Sequence, residues 1–240
     1  MTNGRSVVGW SAMAAQPLRL QDVEALTFDC YGTLIDWESG AKNTLQALVA
    51  RWDLHADEDA FFQAWERAQR ARIEQSYARY RDIAAETFAA VATAEHLPLG
   101  PEDARLFADS IAAWKPFPEV PAALATLKRR LKLGIISNID DDILAGSVKH
   151  MGVEFDLLLT AEQARAYKPS PIPFQQALER LGLPAARVAH AAFGFEYDIA
   201  TASRLGFRTI LVQRGRTDFP PAPVPDLVVA DLKELAAQLA

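Results

Sequence analysis

The stretch Val23-Glu24-Ala25-Leu26-Thr27-Phe28-Asp29-Cys30-Tyr31-Gly32-Thr33-Leu34 decides the fold. Its first six residues make a short apolar run, the length of a buried strand. The run ends at Asp29, and Gly32 follows as a turn signal. Leu45, Leu48, Val49 and Trp52 then recur at helical spacing. A strand that hands over to a helix through an acidic residue and a Gly turn is the first unit of an α/β sheet.

Downstream the pattern changes twice. From Asp59 to about His96 the chain is rich in Ala, Arg and Glu with few breakers. Phe61, Trp65 and Ala68, then Tyr77, Tyr80 and Ala84, fall at helical steps and predict two helices. Another is predicted over Pro101 to Trp114, and no strand intervenes. Trp114-Lys115-Pro116-Phe117 reads as the hinge that returns to the core, with Phe117 a candidate to face the site. Beyond it strands and helices alternate. Strands are predicted at Leu133–Ile136, Phe155–Thr160, Val188–Phe193, Thr209–Val212 and Leu227–Val229. Helices are predicted at Pro121–Arg130, Asp140–Met151, Pro173–Leu181, Asp198–Leu205 and Asp231–Leu239. Such alternation argues for a parallel sheet wrapped on both faces.

The expected fold is therefore α/β: a Rossmann-like, doubly wound parallel sheet core with a helical cap inserted after the first strand. Residues 21–39 and 116–240 form the core, 40–115 the cap, and 1–20 a flexible leader. An insertion at that point lies over the strand ends, where open α/β sheets bind ligands. The Pro-rich piece from Phe219 to Pro225 is a surface loop.

Composition narrows the function. The chain has 240 residues, 50% hydrophobic, with a formal net charge of -6. An acidic balance argues against nucleic acid and anionic membrane surfaces as partners. It leaves room for a small anionic substrate in a locally basic pocket. No stretch approaches the roughly 20 apolar residues that span a bilayer. Val7 to Ala15 is a weak apolar run broken by Gly9 and Ser11, unlike a signal peptide. Cys30 is the single cysteine, which excludes an intrachain disulfide and fits a reducing compartment. A soluble, cytoplasmic protein is expected.

Four polar sites fall at or beyond the C-terminal ends of apolar strands. They are Asp29, Ser137-Asn138, Lys168 and Asp198. Parallel topology gathers such ends into one crevice. Singly each has a bland reading, since a strand-end Asp is often a helix cap and a lone Lys is usually a solvated surface residue. His55, His96, His150 and His190 show no metal-ligand spacing.

The order of the four sites resembles the haloacid dehalogenase superfamily. The motifs are Leu26-Thr27-Phe28-Asp29-Cys30-Tyr31-Gly32-Thr33-Leu34, Ile135-Ile136-Ser137-Asn138, Tyr167-Lys168-Pro169 and Phe193-Gly194-Phe195-Glu196-Tyr197-Asp198. The resemblance runs from Val23 to the C-terminus. It implies that Asp29 is a nucleophile regenerated from its own ester. Lys168 would balance its charge, Thr33 and Ser137 would hold its other oxygen, and Asp198 would complete the set.

Phosphatases of this superfamily carry a second Asp two residues after the nucleophile, to protonate a leaving alcohol. Here that position is Tyr31, whose phenol has an ordinary pKa near about 10. Halide needs no proton. The Asp-x-Tyr-Gly-Thr-Leu form resembles the type II (L-)2-haloacid dehalogenases, and there the Asn of the second motif, Asn138 here, lines the halide site. Tyr31, Cys30, Trp37 and Arg70 are the further candidates for the substrate or halide pocket, and ordinary packing is the competing reading for Cys30 and Trp37. Arg67, Arg70 and Arg72 share one predicted helix, with a solvated, ion-paired face as the bland alternative.

The implied reaction removes halide from a short, haloacetate-like 2-haloalkanoic acid through an aspartyl ester, with no metal or other cofactor and a homodimer as a common assembly. The sequence departs from the resembled enzymes at Phe193 and Phe195, where they carry small polar residues, and at Phe174, where they carry Tyr. Three alternatives stay open. They are a Mg-dependent phosphatase with Asp29, Asp198 and the Tyr31 carbonyl as ligands, a hydrolase acting on another electrophilic carbon, and a catalytically weakened binding member.

Overall fold

A computed structural model of the chain describes residues 18–239. Of the leader expected over 1–20, residues 1–17 lie outside the described residues. Leu18 is buried, and Leu20–Asp22 forms a 3-10 turn leading into the first strand.

Six strands form one parallel sheet: β1 (Ala25–Phe28), β2 (Lys132–Ser137), β3 (Leu157–Thr160), β4 (Val188–Ala192), β5 (Arg208–Val212) and β6 (Leu227–Val229). Their order is β3-β2-β1-β4-β5-β6. The chain moves outward from β1 on one side through β2 and β3, then crosses back to β4 on the other. The switch point lies beside β1, which is where such sheets open a crevice. Pleating divides the apolar residues between two faces. Leu26, Phe28, Leu133 and Ile135 join one buried cluster, while Ala25, Ile136, Leu159 and Val188 join another with Phe174. Both faces are therefore covered, as all-parallel sheets require.

The helices are α1 (Trp37–Val49), α2 (Glu58–Ile73), α3 (Tyr80–Ala94), α4 (Pro101–Ser110), α5 (Val120–Lys128), α6 (Asp141–Val148), α7 (Ala161–Ala164), α8 (Ile172–Leu181), α9 (Ala200–Arg204) and α10 (Leu232–Leu239). Two local readings need correction. The strand expected to reach Phe193 ends at Ala192, because Phe193 turns its N–H to a side chain instead of the ladder. The helix expected from Asp198 starts as a π-helical turn over Phe195–Ile199, with α9 only after it. Such turns are frequent at functional sites.

The block α1–α4 leaves the sheet after Ile35 and returns at Pro116. The two crossings are tied together. Asp36 N donates to the Lys115 carbonyl at 3.0 Å and Phe117 N to the Leu34 carbonyl at 3.0 Å. Inside the block Trp65 packs edge-on against Phe107, with ring centroids 4.8 Å apart, and Phe88 stacks on Phe107 at 4.3 Å. The block is also fastened from below. Asp140, fully buried after β2, accepts from Tyr80 N and Arg81 N at 2.9 Å each, and so caps α3 from another element. Among the described residues no helix is long and apolar enough to cross a membrane.

Candidate active site

β1 delivers Asp29 to the switch point. Its N–H donates to the Ala191 carbonyl at 3.1 Å, so pairing with β4 runs past the strand end. Gly32 then takes φ of +89°, a left-handed conformation that side chains disfavour. The turn it makes brings Thr33 back toward Asp29. Thr33 Oγ1 donates to Asp29 Oδ2 at 2.8 Å and accepts from Phe193 N at 2.9 Å. The residue that departs from the motif thus orients the carboxylate through its backbone, whatever its side chain. Arg214 closes the turn from behind, donating from Nε to the Thr33 carbonyl at 3.1 Å while stacking on Phe117 at 3.8 Å.

Lys168 is 1% exposed and spends all three ammonium protons. Nζ donates to Asp29 Oδ1 at 2.9 Å, to Asp198 Oδ1 at 2.6 Å and to the Ile136 carbonyl at 2.9 Å. Asn138 fixes its backbone from both sides. Lys168 N donates to Asn138 Oδ1 at 2.7 Å, and Asn138 Nδ2 to the Lys168 carbonyl at 3.0 Å. Beyond Asp198 lies His190, fully buried on β4. Its Nε2 is 3.0 Å from Asp198 Oδ1 and its Nδ1 is 2.9 Å from Thr27 Oγ1.

One ammonium thus serves two carboxylates. Burial pushes Asp29 above the ordinary carboxylate value, and repulsion from Asp198 adds to this; the Lys168 charge only partly offsets them. Burial also works against the Asp198 charge, but Lys168 and His190 outweigh it and hold that carboxyl low. For Lys168 burial opposes the charge, and the two carboxylates win, keeping the ammonium above its ordinary value. Gly194 makes room for this arrangement, since a Cβ there would stand 2.5 Å from Asp198 Oδ2.

Above these groups lies a cavity of about 350 Å³. Asp29, Ser137, Asn138, Lys168 and Asp198 line it on the sheet side; Tyr31, Trp37, Gln69 and Arg70 also line it. Thr33 stands behind Asp29, fully buried. Cys30, expected among the substrate contacts, is corrected to core packing: it has no exposure and does not reach the cavity. Burial pushes its thiol well above the ordinary range. Tyr31 lines the cavity, but its hydroxyl is 2.8 Å from Ser147 Oγ on α6, and burial pushes the phenol well above its ordinary value. Trp37 both lines the cavity and packs edge-on to Phe62 at 4.9 Å. Arg70 is exposed on the rim, 3.1 Å from Glu196 and over the Tyr197 ring at 5.0 Å. Arg67 and Arg72 do not line the cavity, and Arg72 pairs with Glu86 at 3.2 Å.

Two residues of the site escape the motif reading, His190 and Gln69. Gln69 is 4% exposed at the end of the apolar stripe Phe61, Phe62 and Trp65 on α2. Its Oε1 accepts from the Tyr80 hydroxyl, and its Nε2 has no hydrogen-bond partner among the described residues. An amide on the core stripe was the available signal. For His190 the signal was a lone polar ring inside an apolar strand.

The donors suit Mg²⁺ poorly. No cluster of three or more His, Cys, Asp or Glu with metal-holding geometry occurs among the described residues. Lys168 Nζ stands between the two carboxylates, donating to both Asp29 Oδ1 and Asp198 Oδ1, and His190 shares the latter oxygen. A divalent cation bridging Asp29 and Asp198 would compete with this buried ammonium for the same oxygens.

The model of the haloacid dehalogenase-like hydrolase family matches residues 23–206. A Danio rerio protein named haloacid dehalogenase-like hydrolase domain-containing protein 3 is 35% identical over 58% of this chain, which spans 55% of that relative's length. The (S)-2-haloacid dehalogenase of Xanthobacter autotrophicus is 31% identical over 80% of this chain and 76% of its own. A crystal structure of an L-2-haloacid dehalogenase superposes with a TM-score of 0.79 at 26% identity, covering 90% of this chain and 98% of its own.

Proposed function

Because the chain belongs to the haloacid dehalogenase-like hydrolases, we propose that it removes halide from a 2-haloalkanoic acid by attack of Asp29 on carbon. One observation carries this reading. Asp29 is held at the cavity floor by Lys168 and Thr33, while the position that would supply a leaving-group acid is Tyr31, tied to Ser147. Such a site is equipped to expel an anion that needs no proton.

In the first step a carboxylate oxygen of Asp29 bonds to C2 of the acid, and halide leaves with the C–X electron pair. In the second, water adds to Cγ of the ester and the C2 oxygen departs as the 2-hydroxy acid, with one proton released. Lys168 steadies the negative charge on the Asp29 oxygens in the second step. Asp198, kept ionised by Lys168 and His190, orients the water. The likeness to the (S)-2-haloacid dehalogenase supports the substrate class.

The test is halide release from chloroacetate, fluoroacetate and 2-chloropropionate, with and without EDTA. Release that ignores EDTA and vanishes in Asp29→Asn supports the reading. Phosphate release from phosphomonoesters dependent on Mg²⁺, with no halide release, overturns it.

A further inference from the structure

We propose that the physiological substrate class is a 2-haloacid with an aryl-bearing substituent at C2; this rests on the dehalogenase reading above and names the substrate for it. A cavity of about 350 Å³ falls in the range that encloses drug-sized ligands. A two-carbon haloacid would leave most of it empty. Aromatic residues supply a large share of its lining, with Trp37, Tyr80, Phe193, Phe195, Tyr197 and Phe219 set among charged side chains.

Three of these rings pack together. Phe219 meets Phe193 edge to face, with centroids 6.4 Å apart at 82°, and lies 6.3 Å from Phe195. These are the separations of ordinary aromatic pairs, so the three rings pack into one contiguous apolar surface against which a substrate ring could lie. The Arg216 guanidinium lies 5.2 Å from the Phe193 centroid and 5.5 Å from that of Phe219, and its charge is met by Asp218 at 3.1 Å. Arg216 and Asp218 line that side of the cavity as an ion pair beside the rings. Phe219 and Pro220 come from the Pro-rich loop, and Phe193 and Phe195 from the fourth motif. The departures from the motif and the loop therefore share one purpose, which is to build this wall. Displacement runs as before: Asp29 bonds to C2, halide leaves with the bonding pair, and water at the Asp29 Cγ releases the aryl-bearing 2-hydroxy acid.

The experiment compares kcat/KM for chloroacetate, 2-chlorohexanoate and 2-chloro-3-phenylpropionate by halide release. Displacement at a secondary carbon is intrinsically slower than at the primary carbon of chloroacetate, so a preference for the larger acid can only come from the pocket. We expect 2-chloro-3-phenylpropionate to lead both others, and chloroacetate by about tenfold or more, as burial of an aromatic group allows. In Phe219→Ala the ratio of phenylpropionate to chloroacetate should fall by about tenfold. Chloroacetate equal or faster, or 2-chlorohexanoate ahead of the phenyl acid, overturns the aryl assignment while the dehalogenase reading stands. An unchanged ratio in Phe219→Ala overturns the wall. No halide from any of the three removes the dehalogenase reading itself.

Discussion

Lys168 Nζ lies 2.6 Å from Asp198 Oδ1, closer than the 2.9 Å that separates it from Asp29 Oδ1. The lysine is therefore anchored on Asp198 and lends the remainder of its charge to Asp29. Replacing it with Met leaves two buried carboxylates facing one another. Lys168→Met should abolish measurable halide release and cost roughly 3–5 kcal/mol of stability at neutral pH, as for a buried pair that loses one partner. The deficit should shrink as pH falls and one carboxyl takes a proton. Urea unfolding at several pH values checks this; a deficit independent of pH contradicts it.

Gln69 offers a buried donor with no acceptor among the described residues, and its acceptor side is occupied by Tyr80. Removing both members, in Gln69→Leu with Tyr80→Phe, should change stability by less than about 1 kcal/mol, since paired polar groups exchanged for apolar ones are nearly neutral. KM should rise by roughly three- to tenfold, the worth of one uncharged hydrogen bond to substrate. Unaltered KM with a large loss of stability would make the amide a packing element only.

At Gly194 the added methyl of Gly194→Ala would sit 2.5 Å from Asp198 Oδ2. The carboxylate must move, and its contacts to Lys168 and His190 lengthen together. A displacement of this kind typically costs about a hundredfold in rate. Steady-state halide release should show kcat falling steeply with KM little changed. Wild-type kcat in this variant would mean that the position of Asp198 is immaterial.

The pH dependence follows from the opposite shifts of the two carboxyls. Asp29 is raised by burial, so its reactive anion is lost as pH falls through a value above the ordinary carboxylate range of about 4. Asp198 is held low, so the stability that its ion pairs contribute is present above its unfolded value and disappears only as pH falls through the lower folded one. Activity should therefore fail on acidification before the fold does. Profiles of kcat/KM and of circular dichroism against pH test this, and coincident loss of both contradicts it.

The fold was largely legible because strand and helix periods are local. β1 and β2 announce themselves as apolar runs, and the uninterrupted helical block between them marks the insertion. Asp29, Ser137, Asn138, Lys168 and Asp198 were legible for a related reason: parallel strands place their C-terminal ends together. What the sequence concealed depends on distant packing. The pairing of His190 with Asp198 joins β4 to a turn eight residues on, and Asp140 caps α3 from sixty residues away. Cys30 looked like a pocket residue because it adjoins Asp29, but alternate residues of an extended segment face opposite ways, and it turned into the core. The end of β4 at Ala192 is not visible in the sequence, because it depends on the Phe193 amide donating to Thr33 instead of the ladder.

The central claim is that Asp29 carries the substrate as an ester whose Cγ is the point of hydrolysis. A single turnover of 2-haloacid with excess enzyme in ¹⁸O-labelled water tests it most directly, followed by proteolysis and mass spectrometry. The peptide that contains Asp29 should gain the label and the 2-hydroxy acid should carry unlabelled oxygen. Label in the hydroxy acid with none in that peptide would mean that water attacks the substrate directly.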